Sequence, residues 1–157
     1  MDISNEKKLA AHATALGKSA RADTCDELVT LTQSESALVR RLAASALGKL
    51  AGIVPTGPAV RALHPLLQDE HPQVRQYAAK SLGAYGAAAE DALPDLRDLC
   101  KNPHEKDYVR RSVIAAGKLI RAAVEIKENS AVHYCRRCGV RLEHDEFVRS
   151  QKSFQRP

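Results

Sequence analysis

The chain repeats itself. Three segments align residue by residue: Glu35-Ser-Ala-Leu-Val39-Arg40-Arg41, Glu70-His-Pro-Gln-Val74-Arg75-Gln76 and Glu105-Lys-Asp-Tyr-Val109-Arg110-Arg111, with Glu, Val and Arg recurring every 35 residues. Upstream, Leu28, Leu63 and Leu96 recur at spacings of 35 and 33, as do Leu31, Leu66 and Leu99. Downstream, Leu47-Gly48 and Leu82-Gly83 repeat at 35, and Ala116-Gly117 stands one position early. A period of this length marks an array of supersecondary units, each burying its apolar face against its neighbours.

Each unit reads as helix, turn, helix. The second helix carries apolar residues at helical spacing: Val39, Ala43, Ala46, Leu50; then Val74, Ala78, Ser81, Tyr85; then Val109, Val113, Ala116, Ile120. Aromatic residues make up only 4% of the chain, with no Trp, so the apolar share is mostly Ala, Leu and Val. That composition favours closely packed helices over sheets. Ser36, His71 and Lys106 share one repeat position and mark the starts of the second helices, with Pro72 tolerated in a first turn. Thr24 with Glu27 predicts a capping box at the start of a first helix. Gly52 and Pro55 through Pro58 break the chain before the next unit. Pro65 and Pro94 are expected inside the first helices of the second and third units, kinking each of them on the outer, convex layer. Residues 4–20 read as a lone second helix, an N-terminal cap.

The spacing V-R-x-x-A-A-x-x-L-G is written here as Val39-Arg40-Arg-Leu-Ala43-Ala44-Ser-Ala-Leu47-Gly48 and Val74-Arg75-Gln-Tyr-Ala78-Ala79-Lys-Ser-Leu82-Gly83. It resembles the HEAT-like repeats named after phycobilisome lyases, over roughly residues 5–128. The resemblance implies an all-α fold, a short right-handed α-solenoid of HEAT-like, armadillo-like helix pairs with a small irregular C-terminal tail. The expected organisation is an N-terminal capping helix plus three helix pairs over 1–128, then a basic tail over 129–157. Phycobilin-lyase activity is a weaker implication, because the repeat motif that carries the resemblance is structural. HEAT-like deoxyhypusine hydroxylases place His-Glu dipeptides on their second helices to hold iron. The matching positions here are Arg41-Leu42, Gln76-Tyr77 and Arg111-Ser112, and the one His-Glu, His104-Glu105, falls in a turn. A Gly-rich phosphate loop, a nucleophile elbow and paired carboxylates are all missing from the sequence. No enzymatic activity and no small-molecule substrate are expected.

The recurring Glu and Arg of each unit could suggest a phosphate-binding ladder. Each Glu precedes a helix start, where a carboxylate suits the helix dipole. Each Arg lies within reach of that Glu or its neighbours, so the set reads as a structural ladder. The next position differs. Arg41, Gln76 and Arg111 lie off the apolar stripe, with Lys49, Lys80 and Lys118 further along the same helices and Arg121 beyond them. These residues are the expected partner-binding face, on the concave side of the stack, and a protein partner is the expected occupant.

Charge is unevenly placed. Residues 1–128 carry 18 basic and 16 acidic side chains, and residues 129–157 carry 6 and 3. The body is nearly balanced and the tail is basic. Cys25 and Cys100 sit singly at helical apolar positions and read as small buried hydrophobes. Cys135 and Cys138 form a C-x-x-C-G knuckle in the tail, a pattern suited to zinc. Three readings of it compete: a zinc finger whose second ligand pair lies beyond Pro157, a site completed by His133 and His144, or free or redox-active thiols. Were the knuckle a finger, Arg136, Arg137, Arg141, Arg149 and Lys152 would supply a salt-dependent contact to nucleic acid. No segment has the roughly 20 consecutive apolar residues of a membrane span, and the first residues lack the apolar stretch of a signal peptide. A soluble, cytoplasmic protein is expected.

Overall fold

The computed structural model describes residues 3–130, 133–134 and 141–142. Seven α-helices fill the first of these spans: α1 (Ile3–Leu16), α2 (Cys25–Leu31), α3 (Ala37–Lys49), α4 (Thr56–Leu63), α5 (Pro72–Ala84), α6 (Leu93–Lys101) and α7 (Asp107–Ser130). They form two layers. The second helices make one, with α5 packed on both α3 and α7 and α1 closing the row against α3. In the other, α2 packs on α4, and the 3-10 segment His64–Gln68 that continues α4 reaches α6. The fold is all-α, built of HEAT-type helix pairs.

Local chemistry sets the boundaries. Ser36 caps α3, its Oγ accepting from the Val39 N–H at 3.3 Å, and His71 caps α5, its Nδ1 accepting from the Gln73 N–H at 3.3 Å. Gly52, at φ +85°, reverses the chain after α3 in a conformation that disfavours a Cβ. Two expectations need correction. Thr24 does not form a capping box: it adopts helical backbone angles at the end of a 3-10 turn, Ala22–Thr24, and its hydroxyl donates instead to the Arg21 carbonyl at 2.8 Å. Pro94 does not kink a helix interior. The third unit enters through a 3-10 segment, Gly86–Ala92, and α6 begins at Leu93, which leaves Pro94 in a first turn where its missing N–H costs nothing. Pro65 does act where expected, since α4 ends at Leu63 and the chain tightens into the 3-10 segment around it.

The stripes form one core. Val39, Ala43, Leu50, Val74, Ala78, Leu82, Val109 and Ile120 are all buried, joined from the other layer by Leu28, Leu63, Leu67 and Leu96. Between second helices the seam is narrow. A Cβ at Gly17 would lie 2.7 Å from the Ala46 Cβ, one at Gly48 would lie 2.8 Å from the Ser81 Cβ, and one at Gly83 would lie 3.1 Å from the Ala116 Cα. Small residues on both sides thus set the interhelix distance, and two bonds cross the α3–α5 seam at that range. Ser81 Oγ donates to the Ala44 carbonyl at 2.7 Å, and Tyr85 Oη donates to the Leu47 carbonyl at 2.8 Å.

Beyond α7, two short strands, β1 (His133–Tyr134) and β2 (Arg141–Leu142), pair antiparallel with His133 opposite Leu142. Cys135, Cys138, Arg136, Arg137, His144, Arg149 and Lys152, and with them the knuckle and most of the basic tail, lie outside the described residues.

The seam predicts an asymmetric response to added methyls. Gly48→Ala should lower stability by about 2 kcal/mol through overpacking against Ser81. Gly117→Ala, where a Cβ meets only the Arg121 side chain at 3.7 Å, should be neutral or stabilising by up to about 1 kcal/mol. Urea melts of the two variants check this, and equal losses would contradict it.

Candidate functional site

The repeated arginines are turned into the structure. Arg40 Nε and Nη2 donate to the two carboxylate oxygens of Asp69 at 2.6 and 2.9 Å, while its Nη1 donates to the carbonyls of Ser34 and Glu35. Arg75 repeats the arrangement, with Nε and Nη2 on Glu105 at 2.7 and 2.8 Å and Nη1 on the carbonyls of Asp69 and Glu70. Each guanidinium therefore does two jobs: it holds the turn of its own unit by the carbonyls and clamps the next unit by its carboxylate. The ladder is structural, as the sequence suggests, but its partners differ. Glu35 and Glu70 lend Arg40 and Arg75 backbone oxygens, while the close, two-pronged charge pairing crosses to the following repeat; Glu70 adds only a longer 3.7 Å ion pair to Arg40.

Burial makes these pairs matter. The Glu105 side chain is only 1% exposed. Burial pushes its carboxyl up, yet the hydrogen bonds from Arg75 and the Lys106 N–H, with the Arg75 charge, together hold it below the usual carboxylate value. At Asp69 burial again pushes up, and the bonds from Arg40 and the His71 N–H outweigh it. Arg110, the third rung, has no such acid among the described residues. Its Nη2 donates to the carbonyls of Pro103 and Glu105, and its Nε is buried without an acceptor among the described residues.

With the rungs internal, the free surface of the α3–α5–α7 layer remains. Lys49, Lys80, Arg111 and Lys118 are exposed there, while Arg41 and Gln76 are half-buried. Two of these six residues gather around an aromatic ring. The Arg41 guanidinium carbon lies 5.6 Å, and the Lys80 Nζ 5.4 Å, from the centroid of Tyr77. Cation–π contacts of this kind hold two long side chains in place at about 0.5–1 kcal/mol each. Gln76 reaches the neighbouring helix, its Nε2 donating to Ser112 Oγ at 3.3 Å. Lys49, Arg111 and Lys118 are spread along the layer and join no such cluster. Tyr77 was not among the sequence candidates; its signal is that it is the lone aromatic at a repeat position occupied elsewhere by Leu42 and Ser112.

Cys25 is buried, as expected, and burial followed by the Asp26 charge pushes its thiol up. Cys100 is only half-buried, at the margin of the core instead of within it. Among the described residues, no group of three or more His, Cys, Asp or Glu is placed to hold a metal ion, and no helix is long and apolar enough to cross a membrane.

A family model for HEAT repeats matches residues 54–117, from the turn before α4 to the middle of α7. The match is to HEAT repeats in general, a class whose members typically serve as protein-binding scaffolds. No curated protein matches the chain.

Removing a rung should be costly in a pH-dependent way. Arg75→Met leaves the Glu105 carboxylate buried and unpaired and should cost about 3 kcal/mol at neutral pH. The native carboxyl sits below its unfolded value, so the rung's stabilisation is present above that value and is lost as pH falls through the folded one. In the variant, the acid instead protonates readily. The deficit relative to the native chain should therefore shrink as pH falls through the acid range, starting where the variant's unpaired carboxyl protonates, above the ordinary value, and ending below the native one, which denaturant melts across that range would measure; a constant deficit would contradict the rung.

Proposed function

We propose that the protein is a non-catalytic scaffold that binds a protein partner on the concave face of its second-helix layer. The observation that carries this reading is the Arg41–Tyr77–Lys80 cluster, which places two ordered cations around an aromatic ring on the free surface of packed helices. Arg and Tyr anchors held in place before binding lose little entropy when a partner docks. Arg111 and Lys118 extend the same positive surface over α7, and Lys49 extends it over the end of α3. A partner that fits presents carboxylates flanking a flat apolar group.

A photo-crosslinking residue at Ala115, exposed on that layer, should capture a discrete adduct in native extract, whereas one at Arg61 on the outer layer should not. Arg41→Glu with Lys80→Glu and Arg111→Glu should abolish the adduct while lowering the melting temperature by only the several degrees that two lost cation–π contacts are worth. Equal adducts from both positions would overturn the reading.

The tail supports a second reading, in which it contacts nucleic acid. What supports it is sequence: the C-x-x-C-G pattern of Cys135 and Cys138 suits zinc, and six of the tail's residues are basic against three acidic. Zinc completed by His133 and His144, with Arg136, Arg137, Arg141, Arg149 and Lys152 around it, would give a compact cationic module. It predicts micromolar binding to nonspecific duplex DNA that falls steeply with salt and vanishes when 129–157 is removed. It also predicts one zinc per chain, lost on Cys135→Ser and on His144→Ala. Salt-insensitive binding, or binding that survives the deletion, would contradict it.

A further inference from the structure

Apolar side chains that the core does not use lie along one side of α7. Leu119 is 58% exposed and Ile126 67%, and Ala115 and Ala122 are exposed beside them. The four follow one another at spacings of 4, 3 and 4, the alternation that keeps one seam of a helix turned toward a single neighbour. The earlier second helices carry no such seam. Ser45 and Lys80 stand where Ala115 does, and Lys49 and Ala84 where Leu119 does. With 24 residues against 13 in α3 and in α5, α7 also carries Ala122 and Ile126 past the repeat position at which those helices end. Two large and two small apolar residues, alternating along an extended last helix, form a surface shaped for another helix.

Two charges beside the stripe narrow the choice of helix. Lys118 and Glu125 border it on the solvent side and are both exposed. Neither takes part in an ion pair among the described residues. Two turns apart, they are separated by about 10 Å along the helix and cannot neutralise one another. A second α7, running antiparallel about a two-fold axis between Ile120 and Arg121, answers both the stripe and the charges. Leu119 then faces the small Ala122 of the second copy, and Ile126 faces its Ala115, so each large side chain meets a small one. Lys118 comes beside Glu125 of the second copy, and Glu125 beside its Lys118. Every contact occurs twice, as an isologous interface requires. A parallel pair would instead set Leu119 against Leu119 and Ala122 against Ala122. It would also turn Lys118 toward Ala123, which sits against Gly86 of its own chain.

We propose that two copies of this chain associate through the Ala115–Leu119–Ala122–Ile126 stripe of α7, antiparallel, with reciprocal Lys118–Glu125 pairs along one edge. The seam covers about 16 Å of helix. That length places the interface at the low end of specific contacts, on the order of 1,000 Å² in total, and the dissociation constant in the micromolar range. Arg41, Tyr77 and Lys80 are not part of the stripe, so the dimer presents two such clusters, one from each copy. A partner that carries two matching segments would then be held at both, and the second contact would form at the raised effective concentration that the first provides.

Sedimentation equilibrium of the full chain between about 5 and 200 µM reads the association directly. The native mass should move from one chain toward two across that range. Leu119→Lys and, independently, Ile126→Lys should remain monomeric, with circular dichroism melts confirming that both still fold. Lys118→Glu alone and Glu125→Lys alone each set like charges together twice and should raise the dissociation constant about tenfold or more. Combining them reverses both charges and restores both pairs, so Lys118→Glu/Glu125→Lys should return the constant to within about threefold of the native value. Arg41→Ala/Lys80→Ala should leave the dimer intact, which keeps this result separate from the partner-binding reading. A native chain that is monomeric throughout overturns the proposal. So does a dimer that survives Leu119→Lys and Ile126→Lys, or one that the single charge variants leave unchanged or the combined variant fails to rescue.

Discussion

Everything in this architecture depends on how closely one second helix can approach the next. A helix pair cannot bury its apolar stripe alone, and the stripes here are built largely of Ala and Val, which bury little area per residue. Dense packing at short range compensates. Gly17 against Ala46, Gly48 against Ser81 and Gly83 against Ala116 set that range. Once the helices are this close, the Arg40–Asp69 and Arg75–Glu105 clamps fall into place across the same junctions. The clamps are buried enough that a wrong register would strand a charge, so they specify the stacking offset more than they add net stability.

That division of labour determines where binding is possible. Residues that recur from copy to copy, namely the Val, Leu, Gly and rung Arg, are consumed by the stack. Residues that vary at fixed positions are free to differ in function: Arg41, Gln76 and Arg111 at one position, Leu42, Tyr77 and Ser112 at the next. The single aromatic of that second set gathers Arg41 and Lys80 about itself. At α7 the same logic holds. The third copy departs from the repeat at Ile114 and Arg121, and both line the groove between α6 and α7.

Much of this is legible in the sequence, for a physical reason. Helical periodicity and a 35-residue period are local signals, so the stripes, the helix starts at Ser36 and His71 and the two-layer order follow from spacing alone. Which carboxylate meets which arginine does not. Sequence proximity points Arg40 to Glu35, while the stack offset delivers Asp69, 29 residues away in the chain and adjacent only after packing. The Thr24 and Pro94 expectations failed for a related reason: a 3-10 turn runs directly into each helix, giving Thr24 helical backbone angles in place of a cap's extended ones and setting the start of α6 at Leu93. Tyr77 went unnoticed because an aromatic near an Ala-rich stripe resembles core until its neighbours' cations are placed over it.

Across the junctions that the small-residue seam sets, the account claims that units are locked to one another by charge pairs running from Arg40 and Arg75 to the next repeat. A double-mutant cycle on Arg75→Met and Glu105→Leu, measured by urea unfolding at neutral pH, tests it most directly. The account predicts that the double variant is more stable than the sum of the single losses implies, by a coupling of about 2 kcal/mol or more. Additive losses would show that the pair is a bystander and that small-residue packing alone sets the stack.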